Sequence, residues 1–339
     1  MQQPPTSLFS SPNPHFLAFD GDDALLLDME RTDYHQSIFL DQRAVAKGAV
    51  PWRTPAAPLI AEAGVLQAPS TGWIFHMAHC GSTLLARFID QPDHALILRE
   101  PPPLRQLAML KAGGHADTDW HARLRFAHMM AARRFDPARR TIVKANVPVN
   151  FILPELAAID PHAPAILLHF ALQPYLLAVL RSPAHRDWID RVTRLLEPAL
   201  KHSVALQSNS GTAERAAALW LSQILLFQET LKTNPNARSL DAEQFLAKPL
   251  KAATAVAVHF EMPINGIEKN ASGLLTTYSK NPAQPFTESD RKSRQAEDLI
   301  KLEADITTAR RWITQSDMAQ LLPERLKHSA SGVGCKLLE

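Results

Sequence analysis

From residue 70 onward the chain alternates between short apolar runs and longer stretches whose apolar positions recur every three or four residues. The short runs, residues 74–77, 95–98, 141–143, 165–170 and 237–240, have the length and β-branched content of strands buried on both faces. The longer stretches, residues 102–111, 119–135, 149–159, 184–206 and 212–232, carry a helical period. Strand and helix in alternation predict an α/β fold, a central parallel sheet flanked by helices. The apolar run at 163–180 contains His169 and is interrupted by Gln173 and Pro174. It reads as a buried strand followed by a helix rather than a membrane span.

Outside that region the pattern changes. Residues 15–29 suggest two strands, 31–43 a short helix, and the Pro-rich stretch 51–69 a linker. Residues 1–70 are therefore expected to form a small N-terminal accessory segment and linker, beginning with a disordered lead-in rich in Pro, Ser and Gln. Residues 71–325 form the α/β domain, in which 289–321 is charged and helical and packs on the outside. Residues 326–339 have the composition of a flexible tail.

Composition narrows the class. At 46% hydrophobic, the 339 residues suffice for a large core. Lys+Arg number 36 against 34 Asp+Glu, a balance that gives no reason to expect nucleic-acid or anionic-membrane partners. The N-terminus lacks the basic and apolar regions of a signal peptide. Two cysteines, Cys80 and Cys335, make no disulfide framework and suit a cytoplasmic protein with reduced thiols.

The candidate chemistry lies at the carboxyl ends of the predicted strands, where parallel α/β sheets bind ligands. After the first comes His79-Cys80-Gly81-Ser82-Thr83, then a helical Leu84-Leu85-Ala86-Arg87. A strand, tight turn and helix in that order gather backbone N–H groups and the positive end of a helix dipole, a P-loop-like anion site. Gly81 allows close backbone approach, and Ser82 and Thr83 are expected to cap the helix. No Gly-Lys-Ser/Thr occurs in the chain, which argues against the usual nucleotide triphosphatase site, and Gly81 has no partner glycines for a dinucleotide fingerprint. The second strand ends in Arg99-Glu100-Pro101 and the third in Lys144-Ala145-Asn146. One anion loop, one carboxylate and one ammonium thus converge on the same sheet edge. The histidines show no metal-ligand spacing, so no metal is expected.

These residues resemble the sulfotransferases that use 3′-phosphoadenosine 5′-phosphosulfate (PAPS), in particular bacterial relatives of the protein-tyrosine branch. Ala78-His79-Cys80-Gly81-Ser82-Thr83-Leu84-Leu85 is similar to their phosphosulfate loop, and Glu100 and Lys144 stand at positions like those of their Glu and Lys. Leu240–Pro249 and Tyr278-Ser279-Lys280-Asn281-Pro282 are similar to later family segments. The resemblance implies that His79, Cys80, Gly81, Ser82, Thr83 and Leu84 bind PAPS. It also implies that Glu100 takes a proton from a hydroxyl acceptor, a small molecule or glycan, while Lys144 and His79 neutralise the bridging oxygen. The chain departs from the family after the fourth strand. An Arg and a Ser that grip the 3′-phosphate are expected there, and Arg181 and Ser182 arrive about two residues late.

Three other readings start from the same loop. His79-Cys80 with Arg87 evokes a His-Cys-x5-Arg phosphatase, but Ala86 occupies the required position. A non-catalytic anion or nucleotide binder on the same fold, and a divergent small-molecule kinase, are the alternatives that remain.

Overall fold

The computed structural model describes residues 8–338 apart from 42–43, 45–47, 117, 275–276, 279–280, 286–287 and 333. Ser279 and Lys280 of the C-terminal motif lie outside the described residues.

The chain opens with alternating strands that pair antiparallel. β1 (Pro14–Asp20) and β2 (Asp23–Asp28) form a hairpin whose left-handed corner falls on Gly21. α1 (Arg31–Gln36) follows. The stretch expected to be a linker instead contains β3 (Trp52–Pro55), an edge strand paired with β2, and α2 (Ala56–Val65). Its prolines mark boundaries. Pro55 ends an edge strand, and Pro58 sits in the first turn of a helix, where a missing N–H leaves no intrahelical bond unmade.

Two buried guanidiniums fasten this N-terminal layer. Arg99 donates to the carbonyls of Tyr34, His35 and Ser37 and pairs with Asp90. Arg133 donates to the carbonyls of Leu8, Ser11 and Pro14 at 2.7–2.8 Å. Burial pulls Arg133 down to about 10, which leaves it charged at neutral pH.

The central sheet follows: β4 (Gly72–His76), α3 (Ser82–Phe88), β5 (Ala95–Arg99), α4 (Pro102–Ala112), α5 (Thr118–Ala132) and β6 (Arg140–Lys144). A 3-10 turn, Val147–Ile152, leads to α6 (Leu153–Ile159), β7 (Ala165–His169) and α7 (Leu172–Leu180). The helical pattern at 184–206 is two helices, α8 (Pro183–Leu195) and α9 (Glu197–Val204), because Pro198 can occupy only a new first turn. α10 (Thr212–Thr233) is mostly buried and anchors its Trp220 indole N–H on the Phe170 carbonyl at 3.0 Å. β8 (Ala237–Asp241) completes a sheet of order β5-β6-β4-β7-β8 in which every pair is parallel. Nearly every residue of the five strands is buried, as a parallel sheet covered by helices on both faces requires. The architecture is the α/β fold that the alternation predicts.

Beyond the sheet lie α11 (Ala242–Ala247), α12 (Pro249–His259), α13 (Asn265–Leu274), the short strands β9 (Thr277–Tyr278) and β10 (Asn281–Pro285), α14 (Glu288–Lys301) and α15 (Glu303–Gln315). α12 and α13 carry no predicted counterpart. The segment expected to be a flexible tail is packed: Leu326 and Leu337 are buried, and residues 328–330 hydrogen-bond along Ser239 at the β8 edge. No helix among the described residues is long and apolar enough to cross a membrane.

Four histidines are buried among the described residues: His15, His76, His128 and His169. Desolvation is the main cause that pulls His15 to about 4, His76 to about 3 and His128 to about 4, with nearby Arg133 and Lys144 adding to the shift at His15 and His76. The unfolded chain takes up these protons near the ordinary value of 6.5, whereas the folded chain does not. Their contribution to stability is therefore complete above that value and is lost as the pH falls from it towards 4. Urea unfolding followed between pH 6 and pH 5 is expected to show stability dropping by roughly 4 kcal/mol from these three groups. A flat profile over that interval would mean that the rings are charged in the folded protein.

Candidate active site

The turn after β4 is built on left-handed backbone. Both His79 (φ 60°) and Gly81 (φ 83°) adopt it. A Cβ at position 81 would stand 3.0 Å from Phe245 Cε1 and 3.1 Å from Leu246 Cδ2, so the position favours glycine for space as well as for conformation. Ser82 and Thr83, expected as caps, are instead the first two helical residues. Gly81 is the N-cap, with no side-chain cap bond. Intrahelical bonding starts with Leu85 N–H donating to the Gly81 carbonyl at 3.0 Å, so the amides of Ser82, Thr83 and Leu84 belong to the first turn, at the positive end of α3. Cys80 is fully buried and donates its thiol to the Met77 carbonyl at 2.9 Å, which braces the turn from inside. It is not among the residues lining the cavity described below. That placement removes the phosphatase reading, which needs a thiolate facing its substrate.

Glu100 leaves the end of β5 in the same left-handed conformation (φ 61°) and donates its N–H to the Lys144 carbonyl at 2.7 Å. A side chain in that region costs about 1–2 kcal/mol. The compensation here is an ion pair between the Glu100 carboxylate and the Lys144 ammonium, whose side chain is 1% exposed. Phe39 from the N-terminal layer lies 5.7 Å from that ammonium. His76 Nε2 stands 3.9 Å from Glu100 Oε1, and its Nδ1 faces the Met77 carbonyl at 2.8 Å. Arg99, the neighbour of Glu100 in sequence, is turned away to the N-terminal layer.

Residues following all five parallel strands line one cavity of about 1090 Å³. His79, Gly81, Ser82, Thr83 and Leu84 form one side and Glu100 another, while Asn146, Phe170 and Glu243 mark the ends of β6, β7 and β8. Lys144 does not line the cavity; it sits behind Glu100. Arg181, the C-cap of α7, lines the wall although it comes late in sequence. Its Nε donates to His185 Nδ1 at 3.3 Å. Ser182 caps α8 by accepting from the His185 amide and lies 3.1 Å from the same ring nitrogen. The His79 and His185 rings meet edge to face with centroids 4.2 Å apart, and Trp188 lies 6.1 Å from His79.

Several lining residues belong to no motif singled out in the sequence. His185, Trp188, Val192 and Leu195 follow Arg181 at spacings of three and four, so a helical face mixing ionisable and aromatic residues is a usable signal. Arg291 and Arg294 repeat it on α14, where Arg291 pairs with Glu243 at 2.8 Å. Phe39 and Asp41 of the N-terminal layer also line the cavity, and nothing in their local pattern announces it.

No protein-family model matches the chain, and no curated protein matches it. Among solved structures it is similar to a sulfotransferase from Alicyclobacillus acidocaldarius at 13% identity and a TM-score of 0.38, over 70% of this chain and 95% of that one. It is also similar to the sulfotransferase domain from the curacin biosynthetic pathway at 12% identity and a TM-score of 0.37, over 65% of this chain and 80% of that one.

Because Gly81 is left-handed and closely packed, Gly81→Ala is expected to lower stability by about 1–2 kcal/mol from backbone strain, with a further loss from crowding Phe245. Equilibrium unfolding in urea measures this. A variant as stable as the parent would show that the turn relaxes to another conformation.

Proposed function

We propose that the chain transfers a sulfuryl group from PAPS to the hydroxyl of a small-molecule or glycan acceptor. The observation that carries this reading is one juxtaposition. His79, Gly81, Ser82, Thr83 and Leu84 of the turn, Glu100 and the arginines Arg181, Arg191 and Arg294 face a single cavity at the carboxyl edge of the parallel sheet. Its volume of about 1090 Å³ has room for a nucleotide and an acceptor together.

The residues present fit a doubly anionic nucleotide. Amides at the start of α3 suit a 5′-phosphosulfate, the guanidiniums suit a second phosphate, and Trp188 offers an aromatic wall. PAPS, when bound, supplies the activated sulfuryl group. The chain's own task is then to position two reactants and neutralise charge. Glu100 accepts the proton of the acceptor hydroxyl at a carboxylate oxygen. Lys144 holds that carboxylate in place and supplies its counter-charge from behind. His79, on the wall beside His185, would neutralise charge on the bridging oxygen of the donor. Arg181, although it arrives late in sequence, would take the part of the expected arginine in gripping the second phosphate.

One observation favours a second reading, a nucleotide or anion binder without catalysis: the Lys144 ammonium is buried against Glu100 instead of facing the cavity. A single set of measurements separates the two. Adenosine 3′,5′-bisphosphate is expected to raise the melting temperature by several degrees when present well above its dissociation constant. Glu100→Gln is expected to keep that shift and lower turnover by about 10²–10⁴. A shift without turnover in the parent supports the binder. Stabilisation by ATP alone supports a kinase, and silence towards both nucleotides removes the sulfuryl-transfer reading.

A further inference from the structure

A second group of chemically capable side chains lies apart from the cavity. His169 and Asp241 end β7 and β8 and are register partners across them. The C-terminal segment brings Cys335 to the same point. Its backbone N–H donates to Asp241 Oδ2 at 2.9 Å across a separation of 94 residues, and the nearby Leu337 carbonyl accepts from Leu172 N–H at 2.8 Å. A ring nitrogen of His169, a carboxylate oxygen of Asp241 and Cys335 Sγ all lie within 4.8 Å of one another. None of the three lines the cavity.

The histidine is what makes this more than a fortuitous cluster. Its ring is fully buried, Nδ1 stands 3.4 Å from the Leu167 carbonyl, and Nε2 has no hydrogen-bond partner among the described residues. Buried polar atoms are mostly hydrogen-bonded, so this orphan calls for a partner, a water or an ion, and unlike His128 it sits beside a carboxylate and a thiol. A backbone carbonyl on one ring nitrogen with the other left open is the arrangement that fixes a metal-ligating tautomer.

We propose that His169 Nε2, Asp241 and Cys335 Sγ bind a single borderline-soft divalent cation of the zinc type. Nitrogen, carboxylate and sulfur together suit zinc or cobalt, whereas magnesium and calcium select oxygen-only sites. Zinc holds such ligands at about 2.0–2.3 Å, so the three atoms draw in by roughly 1 Å and leave a fourth position for water. The metal–sulfur bond forms as the Cys335 thiol proton leaves to solvent. The ion would staple the C-terminal segment to the sheet edge at the start of α7. No sequence motif announces it, because the ligands come from two strand ends and a distant terminal segment.

The test uses the full chain, stripped with a chelator and titrated with Co²⁺ and then Zn²⁺. One equivalent of Co²⁺ is expected to raise a thiolate-to-cobalt charge-transfer band in the near ultraviolet, and Zn²⁺ to bleach it. Cys335→Ser is expected to abolish the band, and His169→Gln to weaken Co²⁺ binding at least tenfold. Zn²⁺ is expected to raise the melting temperature of the parent and leave that of Cys335→Ser unmoved. Absence of a saturable band in the parent, or a band that survives in Cys335→Ser, overturns the site. Because Cys335 is only half-buried, its serine variant keeps the site testable even if His169→Gln does not fold.

Discussion

Parallel strands cannot be joined by a hairpin, so every strand in such a sheet must be followed by a crossover that starts from the same edge. This constraint organises the molecule. Five consecutive turns out of the sheet are delivered to one rim, and the order β5-β6-β4-β7-β8 puts the 78–81 turn at its centre. Glu100 then arrives from the strand two places to one side, and Arg181 and His185 arrive over the neighbour on the other. Residues far apart in the chain meet because of how strands pair, before any side chain selects another.

The buried ammonium of Lys144 shows how local conformation bends to electrostatics. A charge taken out of water needs a partner close by, and removing that partner is severe. The nearest carboxylate is on the first residue past the adjacent strand, and it reaches the ammonium from left-handed backbone. Strain at Glu100 and burial of Lys144 are thus two sides of one arrangement. Its outcome is a carboxylate fixed at the cavity surface with its counter-charge behind it, whereas the sequence reading expects both groups at the pocket beside the anion loop.

How much of this is legible in the chain depends on what carries the signal. The five central strands are, because burial on both faces leaves uninterrupted apolar runs such as Ile166-Leu167-Leu168. The turn at Gly81 is, because strand, glycine and helix follow in unbroken order. The edge strand β3 and α2 are obscured by prolines at 51, 55 and 58, which mark element boundaries as readily as they mark loops. The cavity wall on α8 is written in a helical spacing that competes with ordinary surface charge. Phe39, Asp41 and the terminal segment are illegible locally: their places are set by tertiary contacts with Lys144, Arg99 and Ser239.

The two guanidiniums at positions 99 and 133 hold the N-terminal layer by its main-chain oxygens alone. A fastening of that kind is indifferent to which amino acids occupy the strapped positions. The bonds reach the backbone at Leu8, Ser11, Tyr34 and His35 whatever side chains those positions carry, and loss of either arginine removes three of them. The wall that Phe39 and Asp41 give the cavity is thus moored through peptide oxygens, which every residue possesses, and its anchorage is written in two arginines that lie elsewhere in the chain.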